Sequence, residues 1–423
     1  MKMKLTASTV AMAVTLGWAL PASAQTADSA AVQQQLAEMR AQMEAMAARI
    51  NTLQSQLDQQ NATSQAAAAK ADKALAAAEK PAATPKALAW AEDTKISGRM
   101  YYNISNVSTK YDGVKSQDQG GFQIKRFYIG VDHKFDDTFS GNVTMDIDNV
   151  ANSSGKNVGK GFYVKKAYLE AKLDPALKLR LGAADTPWVP YAEGIYGYRH
   201  LEKEAVDLFG FGTSSDWGVH AMGDIADGMV SYQVSAMDGG GYRDPKFTNT
   251  VDIEGRLAFK YKGFNAGVGA YTGKLGNDVD GATDKYRTST RFNALLAYKD
   301  KVGGMPVTVG GEYFTAKNWK VKTTSASDKA EGYSVFASLA PVEKWSVFGR
   351  YDWVKPNKDT DPTKKGNYFN VGVQYSPAKI VDLALMYKHY SGDNGFTGGD
   401  FTGSKTYVDG KQDEFGLFGQ FRF

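Results

Sequence analysis

Cysteine is absent from the 423 residues. No disulfide can hold this chain together, and no thiolate is available as nucleophile or metal ligand. Histidine is scarce. His133, His200, His220 and His389 are scattered without metal-ligand spacing, which argues against a metal site. An excess of one charge sign is also missing. The first 91 residues hold 8 basic and 6 acidic side chains, leaving 42 basic against 40 acidic in the rest. That balance gives no reason to expect nucleic acid or any other polyanion as a partner. Beyond Leu20 there is no long apolar run, so no helical membrane span is expected in the mature chain. Glycine and aromatics abound instead, with 44 Gly, 23 Tyr and 21 Phe at a mean hydropathy of −0.40. A polar average with many aromatics suits a wet barrel, in which about half of each strand must be polar.

The first 24 residues have the form of a secretory signal peptide. Lys2 and Lys4 give a basic start, Leu5 to Leu20 an apolar run, and Pro21-Ala22-Ser23-Ala24 small residues for cleavage between Ala24 and Gln25. Residues 25–60 differ in kind. Val32, Leu36, Met39, Met43, Met46, Ile50, Leu53 and Leu57 alternate spacings of 4 and 3, an unbroken heptad seam. A docked amphipathic helix would show a wider stripe, so a coiled coil is expected here. Residues 61–93 read as an Ala-rich helix that Pro81 and Pro85 turn into a linker.

From Thr94 the period changes to two. Leu177, Leu179, Leu181 and Ala183 alternate with Lys178, Arg180, Gly182 and Ala184, and about fifteen other segments repeat the pattern. The last segment sets Phe415, Leu417, Gly419, Phe421 and Phe423 on one face, against Glu414, Gly416, Phe418, Gln420 and Arg422. Every second connection is tiny, such as Asp174-Pro175-Ala176 or Gly263. The others are long and polar: Ser108–Gly120, Ala151–Lys160, Pro190–Asp216, Asp238–Thr250, Lys274–Thr288, Lys317–Glu331, Lys355–Asn367 and Ser391–Gln412. Such sorting is expected of a transmembrane antiparallel barrel whose two rims face different compartments. Phe135, Phe139, Tyr261, Phe264, Tyr298, Trp345, Tyr375 and Phe423 lie where outward positions meet the short turns. Trp217, Tyr313 and Trp353 lie nearer the long ones, so two interfacial girdles are expected. The predicted fold is all-β: a barrel of about 16 strands over residues 94–423, preceded by a periplasmic coiled-coil helix.

The chain resembles trimeric outer-membrane porins, and most closely the phosphate-selective porin O and P family. The residues that carry the likeness are Ile96-Ser97-Gly98-Arg99-Met100, Ile124 to Val131, Lys166-Ala167-Tyr168-Leu169 and Leu181-Gly182-Ala183, together with the exported heptad segment. The resemblance implies a homotrimer in the outer membrane, among lipid and lipopolysaccharide, with the heptad segment in the periplasm. It implies an assembly signal at Phe421 and Phe423 for the barrel assembly machinery. It also implies a loop folded into the lumen, here Pro190–Asp216. Glu193, Arg199, Glu202, Lys203, Glu204 and Asp207 of that loop would set a field across the gap. Trp188, Tyr191, Tyr196 and Tyr198 give it bulk, and Leu208 to Gly212 suit pinning it to the wall. Phosphate-selective members line the pore with an arginine ladder and a lysine cluster. Here the expected pore-lining set is mixed. Arg126, Lys178, Arg180, Arg256, Arg291 and Arg350 stand with Asp146, Asp148 and Glu312, joined by Lys260 and Lys388 and by Asp132, Glu170, Asp252, Glu254 and Asp352.

Catalysis finds little support. Gly239-Gly240-Gly241 precedes no expected helix, so it is no nucleotide loop, and Asp146 with Asp148 reads as a pair of lumen charges. No cofactor is expected. The expected function is a passive diffusion channel for small hydrophilic solutes or ions, weakly anion-selective. Two alternatives are a structural barrel that anchors a coiled-coil spacer, and a carbohydrate-selective porin with Tyr168, Tyr271 and Phe348 in an aromatic track.

Overall fold

The computed structural model describes residues 28–78, 90–148, 162–277, 285–394 and 409–423. The signal-cleavage positions Ala24 and Gln25 and the loop Ala151–Lys160 lie outside them. Two units are separate in contacts, the N-terminal segment up to Pro85 and the rest. In the first, the helix α1 (Asp28–Ala78) runs 51 residues, about 75 Å at 1.5 Å per residue. Helix therefore continues through the Ala-rich stretch after Gln60. Along the seam, Leu36, Met39, Met43, Met46, Ile50, Leu53 and Leu57 are 46–62 % exposed.

In the second unit, sixteen antiparallel strands form a closed barrel in which each pairs with its sequence neighbours and the last returns to the first. They are β1 (Thr94–Tyr111), β2 (Val114–Lys134), β3 (Phe139–Asp148), β4 (Tyr163–Asp174), β5 (Leu177–Asp185), β6 (Ser215–Ile225), β7 (Val230–Met237) and β8 (Asp252–Tyr261). Then follow β9 (Phe264–Gly273), β10 (Ser289–Val302), β11 (Met305–Lys317), β12 (Lys329–Val342), β13 (Trp345–Lys355), β14 (Lys365–Ala378), β15 (Val381–Asp393) and β16 (Gly410–Arg422). Closure leaves no free edge between first and last strands, as a membrane demands. Phe423 completes the seam by exchanging backbone hydrogen bonds with Gly98, both at 3.0 Å.

Period two sorts the side chains as expected. Ile96, Ile104, Leu181, Leu257, Leu296 and Phe415 face outward and are exposed, whereas Asn293, Ser334, Asp352 and Lys388 face inward and are buried. Outward aromatics pair at the short-turn rim, Phe264 with Tyr298 at 5.1 Å and Trp345 with Tyr375 at 4.7 Å between ring centres. At the other rim Tyr333 stacks on Trp353 at 5.5 Å and stands opposite Tyr313 in register.

One expectation about connections fails. Ser108–Gly120 is not a long loop. β1 and β2 extend through it and meet at the two-residue turn Asp112-Gly113, whose φ values are 50° and 80°. Positive φ at both central residues is what a tight hairpin turn needs, and Asp-Gly supplies it cheaply. The polarity of the segment masked this short signal. β3 pairs only with Arg126–Lys134 of β2, so the hairpin extends past the register of β3.

The largest apolar core lies inside the barrel rather than between layers. It joins side chains of the β5–β6 connection to inward residues of β10 to β16.

Candidate functional site

Residues 186–214 leave β5, form two short helices and return to β6. Helix α2 (Val189–Tyr196) has Pro190 in its first turn and ends at Gly197 with φ 84°. Helix α3 (Ala205–Leu208) is capped by Glu204, whose carboxylate accepts from the backbone of Val206 and Asp207 at 2.7 Å each. Trp188, Val189, Leu201 and Val206 are completely buried, against Phe314, Phe348, Tyr368, Met386 and Phe418 of the wall. The connection therefore lies in the lumen, not on the outer surface.

Its path can be followed around the ring. The Trp188 indole donates to Glu312 at 2.5 Å, and its backbone N–H to Glu254 at 3.2 Å. Gly269 and Gly267 make room, since a Cβ on the first would stand 2.5 Å from the Trp188 ring and on the second 2.6 Å from Tyr191. Arg256 lies over Tyr191 and Arg350 over Tyr196, at 4.6 and 4.8 Å. Tyr198 packs on Phe348 at 4.6 Å and donates to Ser346 at 3.1 Å. His200 meets Gln374 at 2.9 Å and Gln420 at 3.3 Å. Lys125 donates to the Leu201 carbonyl and Arg350 to that of Lys203, at 3.1 and 2.5 Å. Leu208, Phe209 and Phe211 are buried, with Phe211 against Phe314 at 5.1 Å.

The loop charges do not pair as expected. The basic wall residues Arg126, Arg180 and Arg350 would be their natural partners across the gap. Those arginines are held by wall carboxylates instead: Arg126 by Asp146 at 2.8 Å, Arg180 by Glu170 at 2.7 Å, Arg350 by Asp352 at 2.5 Å, and likewise Arg291 by Glu254 at 2.6 Å. Within the loop, Glu193 pairs with Arg199 at 2.5 Å and Asp207 lies 3.9 Å from Lys203. Short range wins, because neighbours on one strand pair or one loop meet at little entropic cost. The cross-lumen ion pair is made by Lys388, 3.0 Å from Glu202 and 3.3 Å from Glu414. Burial opposes ionisation of Glu202, but Lys388 and Lys125 hold its carboxyl well below the ordinary range. Among the described residues Glu204 has no such cation within ion-pair distance. Burial, then the nearby Glu312 and Asp207, push it well above the ordinary range.

Of the other expected lumen residues, Lys178 is 3.9 Å from Asp224 and Arg256 donates to Ser231 at 2.9 Å. Asp148 stands opposite Arg126 in register, and its side chain lies outside the described set. Tyr168, Tyr271 and Phe348 form no common track. Arg180 covers the first, Trp319 packs on the second, and Tyr198 covers the third. Gly239 and Gly241 adopt φ of 81° and 77° in the β7–β8 loop, and Gly241 donates to Asp216. Phe421 and Phe423 lie 6.3 Å apart at the chain end.

A cavity of about 640 Å³ is lined by Arg126, Lys203, Asp207, Tyr242, Arg243, Arg291 and Trp319, among others. Beside it stands a group missed in the sequence. The Tyr163 hydroxyl accepts from Arg126 at 2.7 Å and Arg243 at 2.9 Å, and donates to Asp146 at 2.9 Å. Tyr242 stacks on Tyr163 at 6.0 Å, and Lys165 lies over Tyr128 and Tyr242 at 5.0 and 5.3 Å. Strict alternation from Ala167 and Leu169 would put Lys165 outward, in lipid. A lysine there costs about 2–4 kcal/mol at the bilayer midplane, and that penalty was the available signal.

Residues 62–408 match the family model described as Gram-negative porin. The chain belongs to the Gram-negative porin family. Among curated proteins none matches this porin closely enough in sequence to count as a relative. Among solved structures it is similar to the anion-selective porin from Comamonas acidovorans, with 12% identity and TM-score 0.57 over 78% of this chain and 99% of that one. It is similar to the outer-membrane channel DcaP of Acinetobacter baumannii, with 14% identity and TM-score 0.54 over 78% and 97%. It is also similar to the trimer form of OmpT, an outer-membrane protein of Vibrio cholerae, with 14% identity and TM-score 0.51 over 78% and 99%. At such identities the likeness is one of fold. What is shown is the Gram-negative porin family, not the phosphate-selective type. This porin is an outer-membrane barrel and a passive channel, and its family and fold point away from an enzyme.

Proposed function

We propose that this porin passes small hydrophilic solutes and ions through a lumen narrowed by residues 186–214, with weak preference for anions. The observation that carries the preference is the cavity beside that loop, which seven basic and four acidic side chains line. Pairing of the wall arginines with carboxylates keeps the preference weak and speaks against the strong phosphate selectivity of the O and P type. The similar barrel from Comamonas acidovorans is described as anion-selective, which agrees in direction.

The remaining features extend the same reading. The pore-lining roles of Arg126, Asp146, Glu312 and their neighbours follow from their inward positions. The exposed seam of α1 is suited to self-association as a periplasmic coiled coil in a homotrimer, and the OmpT relative has a trimer form. The outward band is suited to lipid and lipopolysaccharide, and Phe421 and Phe423 to recognition by the barrel assembly machinery. Single-channel recording in planar bilayers tests the channel. A potassium chloride gradient should give a reversal potential on the anion side. A cation-side potential would overturn the preference, and zero conductance would favour the anchoring role. Blocking by sugars would favour the carbohydrate-selective alternative.

A further inference from the structure

Lys165 has no counter-ion among the described residues and is only 8 % exposed. Among the described residues no carboxylate lies within ion-pair distance, and the ammonium stands over the ring faces of Tyr128 and Tyr242. It is also an extra residue in its strand. The β3–β4 register steps from Thr144↔Lys166 to Met145↔Val164, so Lys165 faces no partner on β3. Such a bulge re-aims a side chain that regular alternation would send outward. Here it adds a third cation beside Arg126 and Arg243, which converge on the Tyr163 hydroxyl. Asp146 is bound into the same group through Arg126 and Tyr163. Its ammonium has three N–H donors to offer, and among the described residues none is met by a protein acceptor.

We propose that Lys165, with Arg126, Tyr163, Tyr242 and Arg243, forms a binding site for small organic carboxylates at the wall of the lumen cavity. This rests on the channel reading and names a solute class for it. The group asks for an anion because Lys165 adds a cation that no carboxylate meets among the described residues. It asks for an organic one because of what surrounds the donors. Lys165 is framed by aromatic faces, and Tyr242 and Met237 contribute apolar surface to the adjoining cavity. A hydrated inorganic oxyanion would lose water on all sides and recover few hydrogen bonds. A carboxylate on a flat apolar body presents its charge to Lys165 and its body to the rings.

The test uses the full chain in planar bilayers, with sodium benzoate added to a potassium chloride bath and sodium phosphate in a parallel series. Benzoate should interrupt the chloride current in a saturable way and at lower concentration than phosphate. Lys165→Met should weaken that block by about tenfold or more, the worth of one charge-assisted contact. Lys165→Arg should retain most of it. Heat-modifiable gel mobility establishes that each variant barrel is folded, and a misfolded Lys165→Met leaves Tyr242→Ala to report on the same site. Stronger block by phosphate than by benzoate overturns the solute class. Equal block of wild type and folded variants overturns the site. A conducting wild type indifferent to benzoate sinks this proposal alone, whereas a folded wild type that never conducts sinks the channel reading beneath it.

Discussion

Trp188 and Glu312 are 124 residues apart in sequence and share a 2.5 Å hydrogen bond inside the barrel. The bond ties the start of the lumen loop, just after β5, to β11, six strands further round the ring. Trp188→Ala removes a buried indole, at a cost of about 3–5 kcal/mol, and leaves Glu312 without that donor. The loop should then detach locally while the barrel persists. Single-channel conductance should rise, as it should when residues 202–207 are deleted. Unchanged conductance in a demonstrably folded variant would mean that the narrowing lies elsewhere.

Lys388 should matter more to selectivity than Arg180. Replacing it with methionine strands Glu202 and Glu414 in the lumen without their shared cation. Breaking a buried pair on one side typically costs about 3–5 kcal/mol. Reversal potentials should shift towards cations, and a second change, Glu202→Gln, should restore part of the shift. The effect should fade in concentrated salt, as the screening length falls from about 10 Å at 0.1 M to about 3 Å at 1 M.

Acid should loosen the loop through His200. Burial pushes its imidazole from an ordinary 6.5 down to about 4. Between those values the unfolded chain binds a proton that the folded chain refuses. Stability is therefore full above about pH 6.5 and drains away as pH falls towards 4, by roughly 3 kcal/mol in all. Tryptophan emission during thermal melts at stepped pH would follow this, and His200→Gln should flatten the slope. A melt that rises in temperature with acidification would contradict the assignment.

At the chain end, Phe423→Asp places a charge at the membrane boundary, where the direct cost is only about 0–1 kcal/mol. The expected result is nonetheless a severe fall in assembled barrel, because recognition of the terminus is lost. Quantifying the folded species in outer-membrane fractions decides the matter, with normal amounts counting against a recognition role.

Truncation before Trp90 should lower the detergent resistance of the trimer by removing the exposed seam of α1. Mass measurement in mild detergent gives the answer. A monomer from the full chain would overturn the oligomeric proposal, and a trimer indifferent to truncation would confine the seam to another task.

Much of the barrel was legible because its cause is local. Period two needs no knowledge of distant partners, so the faces of β5 or β16 follow directly from Leu181 or Phe415. Segment 190–216 likewise stood out by its length and its tyrosines. The failures share a different cause. Asp112-Gly113 is a two-residue signal inside a polar stretch, and polarity outweighed it. Lys165 was missed because one inserted residue breaks the alternation of its strand. The partner of Glu202 depends on where the loop travels, and no spacing in the chain encodes that Lys388 waits there. Phe418 is the same case. It is an inward aromatic that makes sense only once Lys388 lies 4.5 Å above its ring and the loop covers it.

That dependence has a consequence for the order of assembly. The loop is made less than halfway along the chain, yet Glu202 is bound 186 residues later by Lys388 and His200 220 residues later by Gln420. Until β15 and β16 are in place, Glu202 and His200 lack these partners, and the part of the core that Met386 and Phe418 supply is missing. A barrel stalled before closure would hold an unmoored, sticky segment in its mouth. Seating of this end of the loop is thus a late event, and an accessible His200 would be the signature of a barrel that has not shut.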